Sequence, residues 1–117
     1  MGSSMNPGRL DQRLVFEERT TSKDELGGAL TVWTSVATVW ARMQELSGRE
    51  LFAAQAANSE VTHHITIRYQ PVFANPLEVA TMRISLGSRR FNIHTSSNIG
   101  ERNEWIVVQA SEGLNDG

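Results

Sequence analysis

Three histidines are the first residues to test for chemistry. His63 and His64 are adjacent in "VTHHITIRY", and His94 lies in "RRFNIHT". Val61, His63, Ile65, Ile67 and Tyr69 alternate with Thr62, His64, Thr66 and Arg68, which reads as a β-strand. Adjacent strand residues point to opposite faces, so His63 and His64 cannot readily share one ion, and His94 could join only one of them. The chain has no cysteine, and no Asp or Glu stands at close ligand spacing to the pair. The pattern therefore predicts no metal site. His63 is expected to be partly buried beside Ile65 and Ile67, with His64 solvated.

Nucleophilic and acid–base chemistry find no better footing. No serine sits in a G-x-S-x-G elbow, and nothing ties Ser97 to His94. Glu17 and Glu18 point to opposite faces of a strand, and Asp24 and Glu25 fall in a loop, so both pairs read as solvated charges. No glycine-rich motif that cradles phosphates is present. The expectation is a protein without catalysis and without a cofactor. Arg68, Tyr69, Arg89, Arg90 and Phe91 offer the mixture of arginine and aromatic rings that binds single strands, so an OB-like nucleic-acid module is the alternative. Against it, 13 acidic residues outnumber 11 basic ones, for a net charge of -2. Phe91 also shares its phase with Ile93, which predicts a core position.

The elements that must carry these residues are mostly strands. Arg13 to Arg19 reads as one, with Leu14 and Phe16 on its apolar face. A polar loop, "TTSKDELGG", follows. In "ALTVWTSVATVWARMQEL" the phase slips: Val32, Val36 and Trp40 are even, while Trp33, Val39, Ala41 and Met43 are odd. That predicts two strands, or one long strand with a bulge near Ser35 to Thr38. Ser47 and Glu50 have capping-box spacing before the alanine-rich "ELFAAQAAN", a short helix with only Leu51 and Phe52 as large apolar residues; Asn58 would stop it. A helix so short is marginal alone and docks lightly or waits for a partner. "MRISL" and "RRFNIHT" flank a turn at Gly87-Ser88, "SSNIGERNE" reads as a polar loop, and "WIVVQA", apolar on both faces, reads as a central strand. The sum is a mainly β fold: a small antiparallel β-barrel of six or seven strands with one short inserted α-helix and long loops.

At 117 residues the chain predicts a single domain, over 5–112. Met1 to Ser4 read as an expression-tag remnant, and 113–117 as a flexible tail within the frayed segment "SEGLNDG". No apolar run approaches the roughly 20 residues that span a bilayer, and "MGSSMNPGRL" has no apolar signal core, so no membrane partner is expected.

The ordered set "GRLDQRLVFE", "DELGG", "VWARMQELSGRELFAA", "THHITIRY", "RRFNIHT" and "WIVVQAS" resembles the head-tail joining family of tailed bacteriophages, the head-tail adaptor or head-closure (head completion) proteins. Gly8-Arg9-Leu10, Trp40-Ala41, Gly48, Glu50, Thr62 and Ile67-Arg68-Tyr69 carry the likeness. The one departure is "NPLEVAT", where a more regular strand start would be expected. The resemblance implies a structural virion protein of a phage or prophage: an oligomeric ring in the head-tail connector, present in the host cytoplasm before assembly. It would close the DNA-filled capsid and offer the tail its docking surface. Implied partners are neighbouring copies, portal and adaptor proteins and tail proteins, with DNA at most transient in the lumen. Thr20 to Gly28 or Ser47 to Glu60 would supply a loop that gates the channel. Trp33, Trp40, Ile65, Ile67 and Trp105, with Phe91 and Ile93, are the expected barrel core. Arg49, Arg68, Arg89 and Arg90 are the candidate interface charges, and Leu51 and Phe52 its apolar anchors.

Overall fold

The computed structural model describes residues 8–113. The expectations for Met1 to Ser4 and for 114–117 lie outside the described residues. Six strands form one antiparallel sheet: β1 (Gln12–Lys23), β2 (Ala29–Glu45), β3 (His63–Arg68), β4 (Arg83–Leu86), β5 (Arg89–Asn98) and β6 (Trp105–Glu112). They close in the order β1-β2-β3-β6-β5-β4, with β4 returning to pair with β1. Ser111 and Glu112, expected to fray, complete β6 instead, and the Gly113 N–H donates to the Arg90 carbonyl at 3.2 Å.

The phase slip in β2 is one bulge in one long strand. Phe16 pairs with Ala37 and Glu17 with Ser35, so Val36 is the extra residue. After the bulge the inward positions are odd: Val39 and Ala41 are buried, and Met43 packs on the core. Before it they are even, which puts Leu30 and Val32 on the same side as the barrel interior. Beyond Glu17 the two strands pair only with each other, as a projecting two-stranded ribbon. It gives the molecule its 59 Å long axis against 33 and 24 Å. The loop at its tip is far shorter than the nine residues expected, because Thr20 to Lys23 belong to β1.

The barrel interior is filled by Leu14, Phe16, Ile65, Ile67, Ile84, Phe91, Ile106, Val108 and Ala110, all with no exposed surface. One end is plugged by the segment between β3 and β4. A 3-10 turn (Pro71–Phe73) brings Phe73 against Phe16, ring centroids 4.8 Å apart. A one-turn helix then buries Val79: α2 (Pro76–Val79), the second helix to α1 (Gly48–Ala56) between β2 and β3. The Asn75 side chain accepts from the Leu77 N–H at 3.0 Å and Pro76 takes the first helical position. This is the physical content of the irregular "NPLEVAT": a capped helical turn, not a strand.

Gly8 opens the described chain at a φ of 79°, with the Arg42 guanidinium where a Cβ would stand. Gly87, at 59°, turns β4 into β5 with Leu86 opposite Arg89.

Candidate subunit interface

The structure splits the expected core. Ile65, Ile67, Phe91 and Ile93 are buried, as expected. Trp40 is not: it is 52% exposed, on the outer face of β2. Its even number places it opposite Val39 and Ala41, and large aromatic size does not override strand parity. Trp33 and Trp105 are half-buried on the outer surface and lie outside the core cluster.

Two of the displaced tryptophans, Trp40 and Trp105, form a row with arginines. Arg13 pairs with Trp40 across β1 and β2, and Arg68 pairs with Trp105 across β3 and β6. Ala41 opposite Ile67 brings Trp40 and Arg68 to neighbouring strands at the same level. The guanidinium of Arg13 lies 4.9 Å from the Trp40 ring centre, and that of Arg68 lies 4.8 Å from the Trp105 ring. Such stacking is worth about 0.5–1 kcal/mol at exposed sites. A groove of about 500 Å³ opens along this row, bounded by Leu10, Arg13, Thr38, Trp40, Arg68 and Gln70. Sequence reasoning missed this row. The signal was present in the even parity of Trp40 against the odd Val39, Ala41 and Met43.

Helix α1 is the second exposed feature. It buries no residue. Leu51 is half-buried, while Phe52 is 74% exposed and Arg49 is exposed. Ser47 stands at the N-cap in extended conformation, but its side chain makes no capping bond, so the expected capping box is not formed. The Glu50 N–H goes to the Ser47 carbonyl instead, at 2.9 Å. The helix ends where expected: Asn58 takes a φ of 59° and the Ser59 N–H reaches back to the Ala54 carbonyl at 2.8 Å.

Arg89 and Arg90 flank the β4–β5 turn, at the same end of the barrel as α1, since Phe91 faces Glu112 and Ala110 faces His63. Arg68 sits at the other end of β3. Arg89 is already engaged: it grips Glu112 at 2.7 and 2.8 Å and stacks 5.1 Å from the buried Phe91 ring. Arg90 donates to the carbonyls of Gly87 and Arg89. The stacking platform that a single-strand binder would need at Phe91 is thus closed.

The histidines take separate roles. His63 is buried, edge-on to Phe91 at 5.1 Å, with Nδ1 2.9 Å from Thr62 Oγ1. His64 points to the other face, 3.3 Å from the Gln109 amide, and His94 meets Ser111 Oγ at 2.8 Å rather than Ser97. Among the described residues no three His, Asp or Glu side chains gather to hold a metal, and no helix is long and apolar enough to cross a membrane. Burial pushes the His63 imidazole below its ordinary value, against the pull of Glu112 and Glu45. Arg89 holds the Glu112 carboxyl low by hydrogen bonding.

A pH prediction follows. In the window between the folded value of His63 and its ordinary value near 6.5, the unfolded chain binds more protons than the folded one. Stability is therefore present above about pH 6.5 and lost as pH falls through that window. Glu112 adds a small, solvent-screened loss only below its ordinary carboxyl range. Thermal melts between about pH 7 and pH 5 are expected to show a falling Tm that flattens in His63→Leu. Parallel slopes in both proteins would refute the assignment to His63.

The comparisons with known proteins agree with this architecture. The phage head completion protein family matches residues 5–113. Head completion protein gp7 of Enterobacteria phage HK97 is 32% identical over 66 residues, which cover 56% of this chain and 59% of that protein. The match thus spans about three-fifths of the length of that relative. The solution structure of protein SF1141 from Shigella flexneri 2a superimposes with a TM-score of 0.69 at 25% identity, over 96% of this chain and 100% of the other. A chain in the virion of a native gene transfer agent particle gives a TM-score of 0.57 at 24% identity, over 92% of this chain and 99% of that one, and shows the shared fold alone. A closed barrel with a long ribbon, an unburied helix and a family match that runs almost from end to end lead to one conclusion: this chain belongs to the phage head completion protein family.

Proposed function

We propose that the protein is a non-catalytic ring subunit of the head-tail connector, which closes the DNA-filled capsid and presents a docking surface to the tail. The observation that carries this reading is the family match over residues 5–113. The molecule supports it physically. A two-stranded ribbon is marginal alone in water, and α1 has little of its own to bury. Both features make sense in a part that is completed by neighbours. Copies of itself, portal or adaptor proteins and tail proteins are the proposed partners, with DNA passing only transiently through the lumen.

The interface charges remain proposals: Arg49 on α1, and Arg68 on the outer row. Arg89 and Arg90 stay with them as proposals, and within the subunit Arg89 also holds Glu112 while Arg90 holds the carbonyls of the β4–β5 turn. Leu51 and Phe52 are the proposed anchors on α1. Phe52→Ser is expected to leave the melting temperature within a degree or two, since exposed positions change stability by about 0.5 kcal/mol or less. Its incorporation into particles should fall by about tenfold or more, the loss typical of an aromatic anchor. Quantitative immunoblotting of purified particles reads the effect, and normal incorporation would remove Phe52 from the interface. The reading as a whole is tested by deleting the gene and complementing it. Filled heads that fail to join tails are expected, and intact tail attachment without the protein would overturn the proposal.

A further inference from the structure

The groove along Arg13, Trp40 and Arg68 has no assigned occupant. Neither Arg13 nor Arg68 has a carboxylate partner among the described residues. Each guanidinium lies over a tryptophan ring, and both arginines are exposed. The site therefore asks for an acidic group next to an apolar one.

The same chain carries that pair at the tip of the ribbon. Asp24 organises the turn: its Oδ1 accepts from the N–H groups of Leu26 at 2.9 Å and Gly28 at 2.6 Å, and its backbone N–H donates to the Gly28 carbonyl at 2.8 Å. Gly27 takes a φ of 85°. With Asp24 turned inward, Glu25 and Leu26 are presented outward, and Leu26 is 95% exposed. Holding an apolar side chain this far into water on an ordered turn cuts the entropy cost of seating it elsewhere.

The tip cannot reach its own groove. From Ala29 to Val39 the strand runs about 33 Å at roughly 3.3 Å per residue. The tip and groove can meet only between molecules. Tip and groove are different surfaces, so pairing them head to tail builds rings or open chains, whereas a reciprocal exchange of tips would stop at a closed dimer.

We propose that the groove receives the β1–β2 hairpin tip of a second copy of this chain, with the Glu25 carboxylate against Arg13 and Arg68 and Leu26 on Trp40 and Leu10. This rests on the ring-subunit reading and names the contact that links one subunit to the next. A single-stranded nucleic acid fits less well: each tryptophan already has an arginine over its ring, and the net charge is -2.

The absence of cysteine from the chain makes a direct test clean. Leu26→Cys and Thr38→Cys place single thiols on the exposed tip and the groove wall. A disulfide needs Cα atoms within about 7 Å, so a 26–38 bond can form only between copies. Under mild oxidation, in concentrated solution and in complemented particles, the double variant is expected to give a ladder beyond the dimer. An equimolar mixture of the two single variants should stop at the dimer. Adding Arg13→Glu and Arg68→Glu to the double variant should lower the yield about tenfold or more. Thermal melts confirm that each variant is folded.

The proposal fails if the 26–38 yield does not exceed that of Leu26→Cys with Ser97→Cys, an exposed control on β5. If particles then still hold several copies, the ring reading stands without this contact; a single copy per particle ends both. The assignment is equally overturned if Thr38→Cys couples instead to another virion protein, or if an oligodeoxynucleotide blocks the cross-link and quenches the tryptophan fluorescence.

Discussion

Phe16→Ala is expected to destabilise the protein by about 3–5 kcal/mol, the cost of a buried phenylalanine truncated where the walls cannot collapse. Phe16 has no exposed surface, and its ring lies tilted against that of Phe73, with centroids 4.8 Å apart; Phe73 belongs to the plug rather than to a strand. The loss therefore strikes both the barrel wall and the segment that closes its end. Small domains hold roughly 5–15 kcal/mol in all, so the variant should be marginal at 37 °C, with Tm lower by roughly 10–20 °C. Urea titration checks it: the midpoint should fall, and the slope should hold if unfolding remains two-state. A change below about 1 kcal/mol would contradict the packing described. Phe52→Ala on α1 is the natural contrast, expected within about 0.5 kcal/mol of the parent.

The contrast between these two phenylalanines shows where the sequence was legible. Phe16 alternates with Leu14 in a clean strand, so its fate followed from period alone. The same period split the histidine pair across two faces, although His64 is half-buried beside Gln109 rather than solvated and His63 is buried outright. Phe52 stood in an alanine-rich helix with nothing to bury it, and exposure followed. Parity also held the answer for Trp40, which is even where Val39, Ala41 and Met43 are odd, whereas its expected core position came from the family resemblance. The arginine–tryptophan row depends on register across four strands, and register between distant segments is a tertiary property. The plug was hidden for another reason. Asn75-Pro76 is a local capping signal, but that its single turn would bury Val79 beneath the barrel depends on the strands around it.

Breaking the root of the ribbon should have the second large effect. Glu17 follows the bulge and meets Arg83 at 2.7 Å, with side chains only 18% and 11% exposed, and the Arg83 guanidinium lies 4.2 Å from the Trp33 ring. This trio joins β1, β4 and β2 where the ribbon leaves the barrel. Glu17→Ala is expected to cost about 2–3 kcal/mol, because Arg83 keeps its charge and its other contacts in a largely dry place without the carboxylate that balanced it. Replacing both, as Glu17→Leu with Arg83→Met, should recover much of that loss, since no buried charge then remains. A double-mutant cycle measures the coupling, expected at about 1–3 kcal/mol. Additive losses would show that the pair is merely adjacent. Hydrogen exchange should also quicken in 18–34 in Glu17→Ala, ahead of the barrel amides.

Closure of the barrel has a consequence for solubility. A sheet that returns from β4 to β1 has few open edges, and the longest lie toward the ribbon, where β1 beyond Glu17 and β2 before Ala41 pair on one side only. Glu18, Arg19 and Lys23 stand on that stretch as charges that discourage such pairing. Neutralising them would leave that arm open to strand addition and raise its tendency to aggregate.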